Sequence, residues 1–124
     1  MHHLIRPLAG AAALLVSLAG QAAECDADAG QKVFQTKCSA CHALDADHVG
    51  PHLSGVVGRP IGSVKGFTYS ADLAGAKGSH WTVEQLDRWL QAPAQMFPDT
   101  AMAFGGLRNV GERQAVLCYL QKNG

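Results

Sequence analysis

The sequence has few charged side chains and no cluster of basic residues. Charged residues make up 16% of its 124 residues, and ten lysines and arginines balance ten acidic residues. A chain without a polybasic run lacks the surface that attracts nucleic acid or an anionic membrane, so neither is expected as a partner. Internal repeats and low-complexity tracts are also absent. The length fits one small domain, which can bury only a modest core of its own.

The sequence also lacks an apolar run long enough to span a bilayer comfortably. Its uncharged apolar stretch at residues 8–18 follows Arg6 and is followed by small residues. This order is typical of a secretory signal peptide, so we expect export, with residues 1–23 as the signal peptide and residues 24–124 as the mature domain. Without Arg6, the mature domain has nine basic and ten acidic residues. An uncleaved anchor is the alternative interpretation of this segment.

Cysteine is scarce, and two of the four cysteines lie in one motif, Cys38-Ser39-Ala40-Cys41-His42. This spacing is the attachment sequence of a c-type haem, in which each thiol adds across one porphyrin vinyl group. His42 then lies beneath the iron as its proximal ligand. A thioredoxin-like redox pair would need a βαβ context, which is absent, and a zinc site would need a second ligand pair, which Cys25 and Cys118 do not make. We therefore predict one covalently attached haem c.

The first predicted helix leads directly into this motif. Asp28 can cap a helix that runs through about Lys37, and Gly30 and Phe34 lie on one face of it. After the motif, residues 43–80 are rich in glycine and lack periodicity. A loop of that length is unusual in a compact domain, but it becomes reasonable when it wraps a cofactor, and short helical turns can occur within it.

Two further helices are predicted in the second half of the chain. Thr82 and Gln85 form a capping box for a helix over residues 81–92, which Pro93 ends. Asn109 caps the last helix, with Glu112 at its third position. The apolar positions of these two helices are Val83, Leu86, Leu90, Val116, Tyr119 and Leu120.

With these features in place, residues 30–120 resemble a class I c-type cytochrome of the cytochrome c2 and mitochondrial cytochrome c group. Residues 50–55 are similar to the family's Gly-Pro-x-Leu-x-Gly loop, and residues 98–104 are similar to its Pro-Gly-Thr-Lys-Met segment. The resemblance implies an all-α fold, the small cytochrome c fold. In it, three main helices and long glycine-rich loops surround one covalently attached haem, and the N- and C-terminal helices cross.

The resemblance also implies the site residues. Met102 would be the sixth iron ligand, a soft thioether that favours ferrous iron. The carbonyl of Pro51 would accept the ring N–H of His42. The cofactor-binding residues expected on this basis are Cys38, Cys41, Pro51, Arg59, Tyr69, Trp81 and Thr100, and the metal ligands are His42 and Met102. Arg59, Tyr69 and Trp81 would donate to a buried haem propionate. Without the resemblance, Met102 reads as an ordinary core side chain, and Met96 is the alternative thioether.

Several residues depart from the family pattern. Ala101 stands where the family usually has lysine, so the ring of lysines that docks acidic partners is thin here. Leu73 lies near the position of a common asparagine. Cys25 and Cys118 are additional, and because the resemblance places the first and last helices in contact, we predict that they form a disulfide. The alternative is a buried thiol at Cys118 and a free terminal thiol at Cys25.

The resemblance implies a soluble single-haem electron carrier of the periplasm, which cycles between Fe(II) and Fe(III) and is not an enzyme. Its expected partners are redox proteins, either a membrane oxidase or reductase, a dehydrogenase or a photosynthetic centre. They would dock transiently at the haem edge of a monomer that is not inserted in the membrane. The alternative functions are a small haem peroxidase and a haem-based ligand sensor in which Met102 is displaced.

Overall fold

The structure is a computed structural model that describes Ile5, Pro7, residues 9–13 and residues 25–124. The predicted signal peptide therefore lies largely outside the described residues and stays a prediction. None of the helices in the described part of the chain is long and apolar enough to cross a membrane.

Residues 25–124 form short helices joined by long loops. In chain order these are α1 (Ala27–Val33), a π-helical turn (Phe34–Cys38), α2 (Ala71–Ala74), α3 (Val83–Gln91), α4 (Pro93–Met96) and α5 (Val110–Lys122). Over this range the only strand-like pairing is an isolated bridge between Pro60 and His80. The prediction of an all-α fold with three main helices is therefore confirmed, and α2 is one of the short turns expected in the glycine-rich loop.

The predicted cap of the first helix is wrong by two residues. A carboxylate oxygen of Asp26, rather than of Asp28, accepts the Ala29 backbone N–H at 2.9 Å and so caps α1. Asp28 instead lies in the first turn, where its charge is favourable near the helix N-terminus. The helix also widens into the π-helical turn before Cys38, which the sequence pattern did not predict.

The caps of the other two main helices are confirmed. The Thr82 hydroxyl accepts the Gln85 N–H at 3.1 Å, and the Asn109 side chain accepts the Glu112 N–H at 3.0 Å. Pro93 follows the end of α3 as predicted, but it also begins α4, because a first helical residue needs no N–H.

Helices α1 and α5 cross in close contact at Gly30. A Cβ atom built there would overlap the carbonyl oxygen of Ala115 and lie 2.8 Å from the Tyr119 Cβ. Beside the crossing, the rings of Phe34 and Tyr119 lie 5.5 Å apart. This contact brings the haem motif, at the end of the first helical segment, against the core under α5. That core comprises Phe34, Val56, Ile61, Trp81, Leu86, Trp89, Leu90, Leu107, Val116, Leu117 and Leu120.

One charged side chain, Arg113, is buried against this core. Its guanidinium donates to the Asp87 carboxylate at 2.8 Å and to the Leu107 carbonyl at 2.9 Å. The pair therefore joins α5 to α3 and holds the chain at Leu107. Because a buried charge is costly without partners, these bonds explain how an arginine is tolerated on the inner face of α5.

Candidate functional site

The two cysteines of the motif lie on one tight turn. The backbone N–H of His42 donates to the Cys38 carbonyl at 2.9 Å, and the N–H of Cys41 donates to the same carbonyl at 3.2 Å. Both cysteines are free, and Cys41 is exposed while Cys38 is half-buried. Burial raises the pKa of the Cys38 thiol to about 11, because a thiolate is poorly stabilised away from water. The turn thus presents two cysteine sulfur atoms on one short loop.

The imidazole of His42 is oriented by the loop that follows the motif. Its Nδ1 lies 2.8 Å from the Pro51 carbonyl oxygen. A carbonyl only accepts hydrogen bonds, so Nδ1 carries the proton and Nε2 keeps its lone pair, which is the tautomer of a metal ligand. Burial lowers the pKa of His42, the Pro51 bond opposes that change, and the positive charge of Arg59 lowers it further. A neutral imidazole is therefore favoured.

Gly50, the first residue of the Gly-Pro-x-Leu-x-Gly loop, also contributes to the position of His42, a role that the sequence did not predict. A Cβ atom at Gly50 would overlap the His42 ring, with ring nitrogens at 2.6 and 2.7 Å. The Gly50 N–H also donates to the Cys41 carbonyl at 2.8 Å. The backbone at Gly50 therefore packs directly on the imidazole, which no other residue would allow.

Arg59 and Trp81 are held together by the backbone. The Trp81 N–H donates to the Arg59 carbonyl at 2.8 Å, and the indole packs on Trp89 with ring centroids 5.5 Å apart. The Arg59 guanidinium donates to the His52 carbonyl at 2.9 Å. Burial lowers the pKa of Arg59, while the nearby Tyr69 and Asp47 raise it.

Tyr69 and Ser70 offer hydroxyl groups in the same region. The Tyr69 oxygen accepts the Val64 N–H at 3.1 Å, which leaves its O–H proton for another acceptor. Ser70 Oγ is buried and, within the described residues, has no hydrogen-bond partner. Ser70 stands at the N-cap position of α2, where a serine normally caps the helix, but its side chain makes no such bond. Sequence reasoning could not find this residue, because a serine before a helix usually indicates a cap.

Met102 lies in the loop between α4 and α5 and packs half-buried against the core. Its backbone N–H donates to the Thr100 hydroxyl at 3.1 Å, so Thr100 shapes the backbone at Met102. The end of the loop is fixed by the Leu107 N–H, which donates to the Leu90 carbonyl at 2.7 Å. Met96, the alternative thioether, ends α4 and also packs against the core.

These groups fit a covalently attached haem. The two thiols can form the thioether links to the haem. The Nε2 of His42 and the sulfur of Met102 are the kinds of atom that bind the haem iron in cytochromes c. The unpartnered Ser70 hydroxyl, the Tyr69 O–H and the Arg59 guanidinium are donors of the kind that a buried carboxylate needs. By contrast, the described ranges contain no cluster of three or more His, Cys, Asp or Glu residues that could hold a metal ion.

The remaining two cysteines lie apart from the motif and near each other. Their Cα atoms, in Cys25 and Cys118, are 5.5 Å apart, within the range of a disulfide. Cys118 is 2% exposed on α5, and Cys25 stands just before α1. The distance meets the geometric requirement of the predicted bridge, which itself stays a prediction.

Comparison with known proteins gives consistent relatives. The sequence model of the Cytochrome c family matches residues 27–123. The chain is 44% identical over 96 residues to the cytochrome c-type cyt cy of Rhodobacter capsulatus. This alignment covers 77% of this chain and 48% of that protein. The chain thus spans about half the length of that relative. It is 41% identical over 101 residues to the cytochrome c of Stellaria longipes, covering 79% of this chain and 93% of that one. The structure of cytochrome cH from Methylobacterium extorquens superposes with a TM-score of 0.73 at 35% identity, over 78% of this chain and 98% of that one.

Proposed function

Because the chain belongs to the cytochrome c family, whose members carry one covalently attached haem c, we propose that it is a single-haem electron carrier. The observation that carries the proposal is the arrangement at the motif. Cys38 and Cys41 lie on one turn, and His42 is fixed by Pro51 with its Nε2 free. The haem supplies an iron that accepts and releases one electron.

The residues on either side of the haem would set its potential and close its reactive positions. Pro51 holds the Nδ1 proton of His42, which fixes the ring and strengthens Nε2 as a ligand. Met102 would bind the iron together with His42, and its thioether would favour the ferrous state. Two protein ligands would leave the iron no open position for oxygen or peroxide, so we propose that the protein is a carrier rather than an enzyme.

The donors near Arg59 would stabilise a haem propionate inside the protein. A buried carboxylate is costly unless charged or polar donors surround it. Arg59, Tyr69 and Trp81 are the donors expected from the sequence, and Ser70 joins them because its buried hydroxyl lacks a partner among the described residues. Keeping this charge compensated in both oxidation states would limit the rearrangement that accompanies electron transfer.

We propose that the protein works in the periplasm, after removal of residues 1–23. The order of basic, apolar and small residues in that segment supports export. So does the covalent haem, since its attachment takes place outside the bacterial inner membrane. Electrons would pass at the exposed haem edge beside Cys41, where a redox protein docks briefly on a monomer. An oxidising compartment would also allow the Cys25–Cys118 disulfide.

Haem attachment and reactivity test the proposal together. The full chain, expressed in a bacterium that attaches c-type haem, should yield a protein that keeps one haem after acid–acetone extraction and undergoes a reversible one-electron reduction. The Cys38→Ser/Cys41→Ser variant should lose the extraction-resistant haem, while Cys25→Ser should keep it. Peroxide turnover by the parent protein at rates typical of peroxidases would contradict the carrier function.

A further inference from the structure

Asp99 makes a contact across the protein that the family resemblance does not predict. Its Oδ2 accepts the backbone N–H of Asp72, in the first turn of α2, at 3.1 Å and across 27 residues of sequence. The helix's own N-cap residue, Ser70, makes no side-chain cap bond. The cap of α2 therefore comes from a different segment, the one that carries Met102.

This contact is a hydrogen bond that joins the loop around Met102 to another part of the fold. The other hydrogen bonds of residues 98–106 are local, since Thr100 donates to the Phe97 carbonyl, Met102 to Thr100 and Phe104 to the Met102 carbonyl. Among the hydrogen bonds of the described residues, the one from Asp72 to Asp99 alone joins residues 98–106 to another element. In the described part of the chain, the next hydrogen bond that fixes the loop is at its far end, from Leu107 to the Leu90 carbonyl, while Met102 and Phe104 also pack against the core.

Helix α2 has no buried residue, but one close backbone contact fixes its position. The backbone of Gly62 packs against the Leu73 carbonyl so closely that a Cβ atom would overlap it. Gly62 also has a φ of 65°, which disfavours other residues there. The residues just before α2 are Tyr69 and Ser70. Asp99 thus joins the loop of the sixth ligand to the segment of the propionate donors.

The carboxylate departs from the family segment that residues 98–104 resemble, in which glycine stands at the position of Asp99 and lysine at the position of Ala101. A glycine cannot make this bond, and a carboxylate accepting an N–H in a first helical turn makes a favourable charge-assisted bond. The substitution therefore adds an attachment where the loop has few others.

We propose that Asp99 is a positioning residue for the sixth iron ligand, which holds the Met102 loop on α2 and so strengthens the iron–thioether bond. The inference rests on the proposed function, in which Met102 binds the haem iron. Loss of the carboxylate should free the loop to leave the iron more often, while the covalent attachment at Cys38 and Cys41 is unaffected.

Competition with free imidazole measures this effect directly. Imidazole binds ferric haem only when Met102 leaves, so its apparent affinity reports how firmly the loop is held. In the Asp99→Ala holoprotein we expect the apparent affinity for imidazole to rise about fivefold, which corresponds to one hydrogen bond of about 1 kcal/mol. Asp99→Asn keeps an acceptor oxygen and should restore part of the parent value. Asp28→Ala removes an exposed acid of the same charge, and it should bind imidazole like the parent.

Three outcomes would overturn the proposal. Asp99→Ala could bind imidazole with the parent affinity, in which case the contact does not hold the loop. Asp28→Ala could change the affinity as much as Asp99→Ala, which would assign the effect to net charge. The parent ferric protein could also lack the weak absorption band near the red end that reports iron–sulfur ligation. That last result would show that the ligand assignment itself has failed, so the two failures are distinguishable.

Discussion

Replacing Gly30 with alanine should destabilise the folded protein, because no space for a side chain exists where α1 and α5 cross. The added Cβ would overlap the Ala115 carbonyl and lie 2.8 Å from the Tyr119 Cβ. The overlapping atoms at Ala115 belong to the helix backbone, so no rotamer change can relieve the contact. The two helices must separate, and the burial that they share must loosen.

The size of the effect follows from two opposing contributions. Overpacking a close contact costs roughly 1–3 kcal/mol, and the upper end applies here since the backbone cannot yield locally. Alanine gains about 1 kcal/mol over glycine inside a helix. We therefore expect the free energy of unfolding to fall by about 2 kcal/mol, the difference between the two contributions.

Urea unfolding of the holoprotein, followed by far-ultraviolet circular dichroism, measures this change. Gly111→Ala is the matched control, because Gly111 is exposed in the first turn of α5 and a Cβ atom there would meet no backbone atom within 4 Å, only the Asn109 side chain at 3.2 Å. That variant should be unchanged or more stable than the parent by up to about 1 kcal/mol. An unfolding midpoint for Gly30→Ala at or above the parent value would refute the close crossing.

Three further predictions concern the disulfide, docking and pH. If Cys25 and Cys118 are bridged, thiol counting on denatured, unreduced holoprotein should find no free thiol, and two free thiols would exclude the bridge. Cys25→Ser should then lower the free energy of unfolding by roughly 4–5 kcal/mol in the chain-entropy model. Electron transfer to the physiological partner should change little between low and physiological ionic strength, because the near-neutral mature chain has no concentrated charge patch; a steep decline in the second-order rate would reveal one. Hydrogen bonds from the His52 backbone and then its ring hold the pKa of Asp47 below its usual range. The stabilising effect of these bonds is complete above the pKa of Asp47 in the unfolded chain, about 4, and is lost as the pH falls through the lower pKa of Asp47 in the folded protein. The difference in unfolding free energy between the parent and Asp47→Asn should therefore shrink below about pH 4. A difference that stays constant down to pH 3 would contradict this reasoning.

Local chemistry determined which helix ends could be predicted. Thr82 and Asn109 were identified correctly because each cap bond spans only three residues and needs no information from the rest of the fold. The cap of α1 was misplaced because Asp26 and Asp28 are both of a residue type that caps helices, and the sequence alone does not select between them. The π-helical turn over Phe34–Cys38 likewise has no periodic signal that would distinguish it from an α-helix.

In the candidate site, too, the residues with local roles could be predicted and those with long-range contacts could not. The motif from Cys38 to His42 is contiguous, so its five residues are enough to predict haem attachment. Gly50 and Asp99 lie in the segments that resemble the family, but their roles, like that of Ser70, were not predicted because they arise from contacts across the fold. Gly50 matters through a ring eight residues away, and Asp99 through a helix 27 residues away. Arg113 was missed since an arginine in an amphipathic helix normally lies on the solvent face, whereas here Asp87 and Leu107 satisfy it inside.

The central claim is that the protein is an electron carrier whose haem iron is bound by both His42 and Met102. It is tested most directly by comparing the ferric spectrum and the reduction potential of Met102→Ala with those of Met96→Ala. The parent and Met96→Ala should show the weak iron–sulfur band near the red end and share one potential. Met102→Ala should keep its covalent haem but lose the band, and its potential should fall sharply, since axial ligands tune haem potentials over about 0.8 V. An unchanged band and potential in Met102→Ala would contradict the assignment of Met102 as the sixth ligand.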